Sequence, residues 1–509
     1  MKSISKLLCV TTIACIFIIN ATGYADDSKS PKDMGIKDLG DLGAVNFSTS
    51  CNKATQEAVN TGVGLLHHMM YAKAESLFSQ RIKEEPDCAI LYWGYAMSLY
   101  HPLWAGVIKD EALERGQSAL AKAQSLKATA REKSYINAAS QYFEGWKDSS
   151  NKDRTAKWAK AQSAVYEQNP DDIDAAAFFA LSQLVMAPKN DKSFSKNKEA
   201  GALLTKFREK SPTHPGTIHY TIHAFDNPGL AKLALDAAEA YGKIAPDVPH
   251  ALHMPSHIYI RLGMWKDAES WDLRSAKAAL KYPVKRSTSH HYTHALDYLI
   301  YAYLQQGEGD KAKQALEQLD QLHPVAANFG SAYAFAAIPA RIALEQQKWQ
   351  QASEIKVQNP DYIPWDKFPQ LEAITHYARG LGAARNGDLT LAQQNVDALN
   401  GLYDKTKAMS PGYWAKLVDA QRMVVNAWIS YGKGEKEQAL VQLRKAADLE
   451  DSMDKSPVTP GAVLPARELL GDMLMLNGDA AGAKAAYEAV LAIAPNRLNS
   501  VLGVKKANQ

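Results

Sequence analysis

Along nearly the whole chain, apolar residues recur at the three- and four-residue spacing of amphipathic helices. The stretches that carry them are rich in Ala, Leu, Lys, Glu and Gln, and the alternating pattern typical of strands is almost absent. Short runs of Gly, Asn, Asp and Pro separate one stretch from the next. The pattern predicts an all-α protein in which many helices follow one another, as in a helical repeat.

The punctuation between these helices is itself periodic. The period is a glycine followed by an alanine five residues later. Ala74 and Ala352 occupy the alanine position, but another residue stands in place of the glycine. Pro often follows the alanine after twelve residues, as at Pro86 and Pro246. Glycine permits a tight turn, a small alanine lets two helices approach, and proline ends one hairpin and begins the next. A glycine precedes an alanine by five residues at Gly229/Ala234, Gly263/Ala268, Gly307/Ala312, Gly387/Ala392, Gly434/Ala439 and Gly478/Ala483.

These residues resemble those of the tetratricopeptide repeat (TPR). The family positions within 466–495 are filled by Leu470, Gly471, Gly478, Ala483, Tyr487 and Pro495. The units 215–248 and 249–282 have 34 residues each, which is the family period, and later units are longer. The stretches 214–228, 249–257 and 294–299 resemble a group of exported bacterial TPR proteins. The resemblance implies an all-α fold, an α-α superhelix formed by a TPR-like helical-hairpin solenoid, whose concave groove binds a peptide or protein partner or a small ligand.

Six segments follow from the pattern. We expect a signal peptide at 1–25, an N-terminal lead segment at 26–53, divergent N-terminal helical repeats at 54–210, His-rich TPR units at 211–305, C-terminal TPR-like repeats at 306–500 and a tail at 501–509.

The first 25 residues have the features of a secretory signal peptide. Lys2 and Lys6 precede an apolar run at 7–19, and small residues at Gly23 and Ala25 suit a cut before Asp26. We therefore expect a periplasmic or secreted protein with no transmembrane anchor after cleavage. In such an oxidising compartment two cysteines most often pair, and the mature chain would keep two, Cys51 and Cys88. A metal site on these two cysteines is the less favoured alternative.

Charge and motifs narrow the function classes. The formal net charge is +3, and removal of the two signal-peptide lysines lowers it to +1. A chain so close to neutral has no excess of cations to displace phosphate counterions, so nucleic acid is not an expected partner. The sequence contains no phosphate-binding P-loop, nucleophile elbow or CxxC pair, which leaves enzymatic nucleophile or nucleotide chemistry without support.

Histidine is strongly clustered. Nine of the fourteen histidines lie within 214–294. Three HxxxH pairs place two imidazoles on one helix face. Two of these pairs occupy positions 5 and 9 of adjacent units, counted from Pro215 and Pro249 as first positions. His250 and His294 each fall at position 2 of their own units. The pairs are His219/His223, His253/His257 and His290/His294.

Two interpretations of this cluster stay open, of which the sequence favours the second; the first includes a metalloenzyme as well as a metal-binding protein. The first is a transition-metal site for zinc, copper or iron, because imidazole suits these ions; its candidate ligands are His219, His223, His253, His257, His294 and Asp297. The second is a metal-free polar groove for a peptide, a protein or another ligand, with His250, His290, His291 and Tyr301 as further candidate residues. No pair is HExxH, which disfavours a zinc protease.

Pro255 lies between His253 and His257. Either it interrupts a helix that carries both histidines, or the helix begins at Pro255 and leaves His253 in a preceding turn. The sequence leaves both open. His67 and His68, at the end of the first predicted helix, are expected to be a solvent-facing pair.

Overall fold

The computed structural model describes residues 40–103, 108–188, 191–283, 287–322 and 324–509. The predicted signal peptide and half of the lead segment lie outside these ranges. Within them the helices run as antiparallel hairpins, each stacked on the next. This arrangement confirms the predicted all-α, TPR-like solenoid.

The helices follow one another in chain order with short connections. The N-terminal part holds α1 (Lys53–His67), α2 (Tyr71–Glu84), α3 (Ala89–Leu99), α4 (Asp110–Ser125), α5 (Ala130–Phe143), α6 (Asn151–Gln168), α7 (Ile173–Val185) and α8 (Ser195–Lys210). The middle holds α9 (Pro215–Phe225), α10 (Leu235–Ile244), α11 (Pro249–Arg261), α12 (Trp265–Ala279), α13 (His290–Gln305) and α14 (Gly309–Gln321). The C-terminal part holds α15 (Phe329–Glu345), α16 (Trp349–Ser353), α17 (Pro369–Asn386), α18 (Leu389–Met409), α19 (Tyr413–Gly432), α20 (Lys436–Asp451), α21 (Ala466–Leu476), α22 (Ala480–Ile493) and α23 (Leu498–Ala507).

Odd-numbered helices are the first members of the hairpins, and successive odd-numbered helices contact one another from α1 to α5 and from α7 to α23. The alanine that the period places in the second helix is fully buried in each hairpin where it was found, for example Ala74, Ala268 and Ala483. Because alanine adds only a methyl group, the two helices of a hairpin can pack closely there. The predicted role of this alanine is confirmed.

The described part of the predicted lead segment, residues 40–52, packs on the N-terminal hairpins. Phe47 is fully buried and stacks on Trp93 with 5.0 Å between ring centroids. Glu132, in the capping box of α5, accepts hydrogen bonds from the hydroxyls of Thr49 (2.7 Å) and Ser50 (2.8 Å). The segment is thereby attached to α3 and α5.

Cys51 and Cys88 form a disulfide across 37 residues of sequence, which confirms the expected pairing. The loop that it closes contains the α1–α2 hairpin. In the chain-entropy model a loop of this length contributes about 4 kcal/mol of stability by restricting the unfolded chain.

Candidate metal centre

Helices α9, α11 and α13 bring the clustered histidines together. They are the first helices of three consecutive hairpins, so their inner faces lie side by side. Helix α11 begins at Pro249 and contains Pro255 within it. The alternative in which the helix begins at Pro255 is therefore wrong, and His253 and His257 do share one helix face.

The first pair is His219 and His223 on α9. Their Nε2 atoms face each other at 3.0 Å. The Nδ1 of His219 donates to the backbone carbonyl of His67 at 2.6 Å. This bond places the proton of a neutral His219 on Nδ1 and leaves the Nε2 lone pair directed at His223.

The second pair, His253 and His257 on α11, repeats this geometry with carboxylate anchors. Their Nε2 atoms are again 3.0 Å apart. Nδ1 of His253 is 2.7 Å from Oδ1 of Asp272, and Nδ1 of His257 is 2.8 Å from Oδ2 of Asp226. An imidazole that binds a metal through one nitrogen almost always donates its other N–H to such an oxygen, which fixes the ring orientation and increases its basicity.

A third histidine from the following hairpin completes each pair. His250 of α11 joins the first pair and His294 of α13 joins the second; in each triad one nitrogen per ring lies within 4.8 Å of the other two. The ring centroids of His253 and His294 are 4.3 Å apart. Four-coordinate zinc with bonds of about 2.0–2.1 Å places its nitrogens roughly 3.3 Å apart, so small side-chain adjustments close either triad around one ion.

The two triads follow one construction rule. Each uses positions 5 and 9 of one unit and position 2 of the next unit, as the sequence register places them. We refer to the triad His219/His223/His250 as site 1 and to the triad His253/His257/His294 as site 2.

Burial keeps these imidazoles neutral. It lowers the pKa of His223 and of His253 to about 3, with the neighbouring His257 and Lys455 respectively adding to the effect. It also lowers the pKa of His257 to about 4, although Asp226 opposes the shift. Since only neutral imidazole binds a metal, the rings are in the binding form at neutral pH.

The other candidates from the sequence lie elsewhere. Asp297 is fully buried and accepts a hydrogen bond from Nε of Arg341 at 3.2 Å, so its carboxylate is directed away from both triads. The hydroxyl of Tyr301 accepts from Arg497 at 3.1 Å. His290 and His291 lie with ring centroids 4.3 Å apart, beside the triads.

These positions are interior. His250, His291 and Tyr301 have 9 % or less of their surface exposed, and His290 is partly buried. The face that the sequence suggested as an open groove is thus covered at these residues in the folded chain.

The expectation that His67 and His68 face solvent is wrong, because both are fully buried. Nε2 of His67 is 2.9 Å from Oδ1 of Asp174, which His214 also approaches, at 3.2 Å. Nδ1 of His68 is 2.9 Å from the hydroxyl of Tyr241. The end of α1 packs against α7, α9 and α10, and the ring nitrogens of His67 and His68 find hydrogen-bond partners there.

A connecting segment from the C-terminal part covers site 2. We call residues 452–465, between α20 and α21, the strap. Asp454 accepts a bond of 2.8 Å from Arg261, and the buried ammonium of Lys455 lies 3.4 Å from Oδ2 of Asp226. The hydroxyl of Tyr298, whose ring meets His253 edge-on, donates to the carbonyl of Thr459 at 3.0 Å.

The charges around Asp226 keep it ionised. Burial alone would raise its pKa, but the cations of Lys455 and Arg261, followed by the bond from His257, hold the pKa well below its ordinary value. Asp226 therefore stays an anionic acceptor for Nδ1 of His257, and Lys455 and Arg261 balance its charge.

Beside the strap there is a cavity of about 150 Å³. Its lining includes Arg261 and Lys455, the two cations that contact Asp226, together with aromatic side chains such as Tyr333 and Tyr413. Arg261 and Lys455 thus connect the cavity to the carboxylate that anchors His257.

Sequence reasoning missed the oxygen anchors. Asp272 lies on the buried stripe of α12 together with Trp265, Ala268 and Ser275, and a carboxylate on such a stripe is a signal that could have been found. Asp226 follows the last residue of α9 directly, and the sequence Asp-Asn-Pro-Gly at 226–229 indicates only a turn. Lys455 has no local signal, since it lies 229 residues from its partner.

Comparisons with known proteins give fold likenesses only. No protein-family model matches the chain, and no curated protein matches it. Among solved structures, human IFIT1 bound to m7Gppp-AAAA has 12 % identity and a TM-score of 0.39, with 85 % of this chain and 95 % of that chain covered. The Cut9–Hcn1 hetero-tetramer of the APC/C has 10 % identity and a TM-score of 0.33, with 89 % and 90 % covered. The TPR domain of P58(IPK) has 14 % identity and a TM-score of 0.20, with 89 % and 97 % covered.

No helix within the described ranges has the length and apolar character that a membrane span needs. At TM-scores this low the three likenesses carry no conclusion about function, which has to be argued from the site itself.

Proposed function

We propose that this protein binds transition-metal ions, with two histidine triads inside its solenoid as the binding sites. One observation carries the proposal: the Nε2 atoms of His253 and His257 face each other at 3.0 Å while carboxylates hold both Nδ1 atoms. A neutral imidazole whose Nδ1 donates to an oxygen carries a lone pair on Nε2, so two anchored rings can offer both Nε2 atoms to one shared ion.

The donor set favours copper or zinc. Three neutral imidazoles without a thiolate suit either ion, and copper(II) ranks highest in intrinsic affinity among divalent first-row metals. A triad also leaves one coordination position for a water or another small ligand, as in zinc sites with three protein ligands.

The test is metal content. The untagged chain is stripped with a chelator, loaded with Cu²⁺ or Zn²⁺, desalted and analysed for bound metal, with thermal unfolding as a second readout. We expect stoichiometric metal and a rise in midpoint, because an ion at 100 times its Kd stabilises by about 2.7 kcal/mol. The variant His253→Gln/His257→Gln should lose the metal of site 2, whereas the control His376→Gln, on α17, should keep the full metal content. Absence of both bound metal and thermal shift in the unsubstituted chain would refute the proposal.

The proposal includes export from the cytosol, to the periplasm or the exterior. Its support is the apolar segment with two lysines at the N-terminus and the disulfide between Cys51 and Cys88, which is a bond of oxidising compartments. Trapping free thiols in cell fractions, followed by non-reducing electrophoresis, would test it. A reduced, uncleaved chain in the cytosol would contradict it.

Recognition of a peptide or protein partner stays a prediction. The strap already contacts Arg261, Tyr298 and Arg341 on the inner face of three successive hairpins. A partner would therefore bind outside this stretch or displace the strap.

A further inference from the structure

Sites 1 and 2 are related by a single step of the repeat. His223 and His257 occupy the same register position in consecutive units, and their ring centroids are 6.4 Å apart. This is shorter than the spacing of about 8–10 Å at which packed helices lie, because the rings project from α9 and α11 toward the inside of the curve.

The register also fixes the number of sites. A third site in the same series would need histidines at positions 5 and 9 of the next unit, and these positions hold Asp297 and Tyr301. Arg341 and Arg497 already engage both side chains. In the unit before, α7 carries no histidine. Within the described residues, the rule therefore produces two sites.

The triads adjoin without a spacer. The ring centroid of His250 lies 5.0 Å from that of His219, which is in the same site. It lies only 6.4 Å from that of His253, which is in site 2. Both triads share α11, which supplies one ligand to site 1 and two to site 2.

We propose, on the basis of the metal-binding function above, that the two triads form one dinuclear centre for two ions of the same element. Because equivalent rings are offset by 6.4 Å, equivalently bound ions lie about that far apart. Two-metal hydrolytic centres hold their ions about 3.5–4 Å apart, bridged through one atom. The centre belongs instead to the class in which each ion keeps its own open position and the pair interacts through space or a multi-atom ligand.

The experiment uses Cu²⁺ as a paramagnetic probe on the untagged full chain. Metal analysis should give two ions per chain, and the electron paramagnetic resonance spectrum should show dipolar broadening and a half-field transition. The single-site variants His219→Gln/His223→Gln and His253→Gln/His257→Gln should each bind one ion and give an unbroadened mononuclear spectrum. His376→Gln serves as the matched control and should behave like the parent chain.

The outcomes separate the two proposals. Absence of metal refutes metal binding itself. One ion per chain, or two ions whose spectrum equals the sum of the single-site spectra, refutes the dinuclear centre while leaving metal binding intact. If a double variant does not fold by circular dichroism, the partly buried third ligand His294 is replaced in its stead (His294→Gln). That variant should weaken binding of one ion and leave the other; weakening of both ions or of neither counts against the centre.

Discussion

At the scale of single residues, the turns of seven of the eight hairpins that share the alanine period contain a left-handed residue five positions before the alanine, and Gly229 is the exception. Glycine is that residue at several turns, such as Gly387, where φ is +89°. In the two hairpins whose period lacks this glycine, Met69 and Gln347 stand at the same position and adopt φ of 55° and 53°. A residue with a Cβ pays about 1–2 kcal/mol for this conformation, so these two turns are strained.

Replacing Gln347, which is exposed, with glycine should therefore stabilise the chain by up to about 1 kcal/mol. The matched change is Gly387→Ala: a Cβ there meets no atom within 4 Å, so the expected loss of similar size comes from the backbone alone. Urea unfolding midpoints of both variants test this. A Gln347→Gly midpoint below that of the parent chain would contradict it.

Asp272 tests the anchoring of site 2. Asp272→Asn keeps the size of the side chain but removes the carboxylate behind His253, so metal affinity at site 2 should fall about 10–100-fold. Burial raises the pKa of Asp272 well above its ordinary value. An ionised Asp272 therefore costs stability in the metal-free protein near neutral pH, and the metal-free variant should unfold at no lower temperature.

Competition with a chelator of known affinity measures the first effect and calorimetry without metal the second. A variant with unchanged affinity would show that Asp272 does not support the ligand. A variant that unfolds early would show that its role is structural.

At the scale of elements, the start of α23 joins two other helices. Arg497 is fully buried, and it donates to Glu468 of α21 at 2.8 Å and to Glu345 of α15 at 2.9 Å. Arg497→Met should leave two buried carboxylates without their cation, and removal of one partner from such a group costs about 3–5 kcal/mol. The exposed pair of Lys313 and Glu317 is the control, and Lys313→Ala should leave the midpoint unchanged within error. Equal effects of both substitutions on the urea midpoint would contradict the argument.

The sequence predicts those features of the elements that depend on local spacing. The alanine of each hairpin and the register of the histidines at positions 2, 5 and 9 depend on local spacing, and the structure places both as that spacing requires. The strap has no periodic pattern, and its contacts with Arg261 and Asp226 span about 200 residues. Such long-range contacts depend on the accumulated curvature of many hairpins, which no local pattern records.

At the scale of the whole molecule, the number of buried neutral histidines makes the metal-free fold sensitive to acid. Burial lowers the pKa of His68, His257 and His290 to about 4 and that of His223 and His253 to about 3, all from 6.5. The unfolded chain takes up protons as pH falls through 6.5, whereas the native chain does so only near pH 4 and below. Stability is therefore fully present above pH 6.5 and is lost as pH falls from 6.5 toward 4, by about 1.4 kcal/mol per pH unit for each such group.

Buried acids oppose this trend. Burial raises the pKa of Glu450 to about 7 and that of Asp472 to about 6, and it also raises the pKa of Asp272, Asp297 and Glu345. Each of these acids becomes less costly as it is protonated. Among the described residues the pKa is lowered by burial for eleven histidines and raised for these five acids, so the net effect of acidification from pH 6.5 to 5 is a loss of stability.

Urea unfolding in the presence of a chelator at pH 7, 6 and 5 should show this loss as a falling midpoint. His68 lies outside both triads, with its nitrogens on Tyr241 and on the carbonyl of Leu42, so it isolates one group of the set. His68→Asn should lower the overall stability. It should also reduce the slope of the unfolding free energy between pH 6.5 and 5 by the contribution of about one proton, about 1.4 kcal/mol per pH unit. A pH-independent midpoint for the parent chain over this range would mean that the native chain takes up as many protons as the unfolded chain, with the buried rings protonated below about pH 6.5. The triads would then have to release protons before they could bind metal, and the affinity for Zn²⁺ would fall steeply below neutral pH.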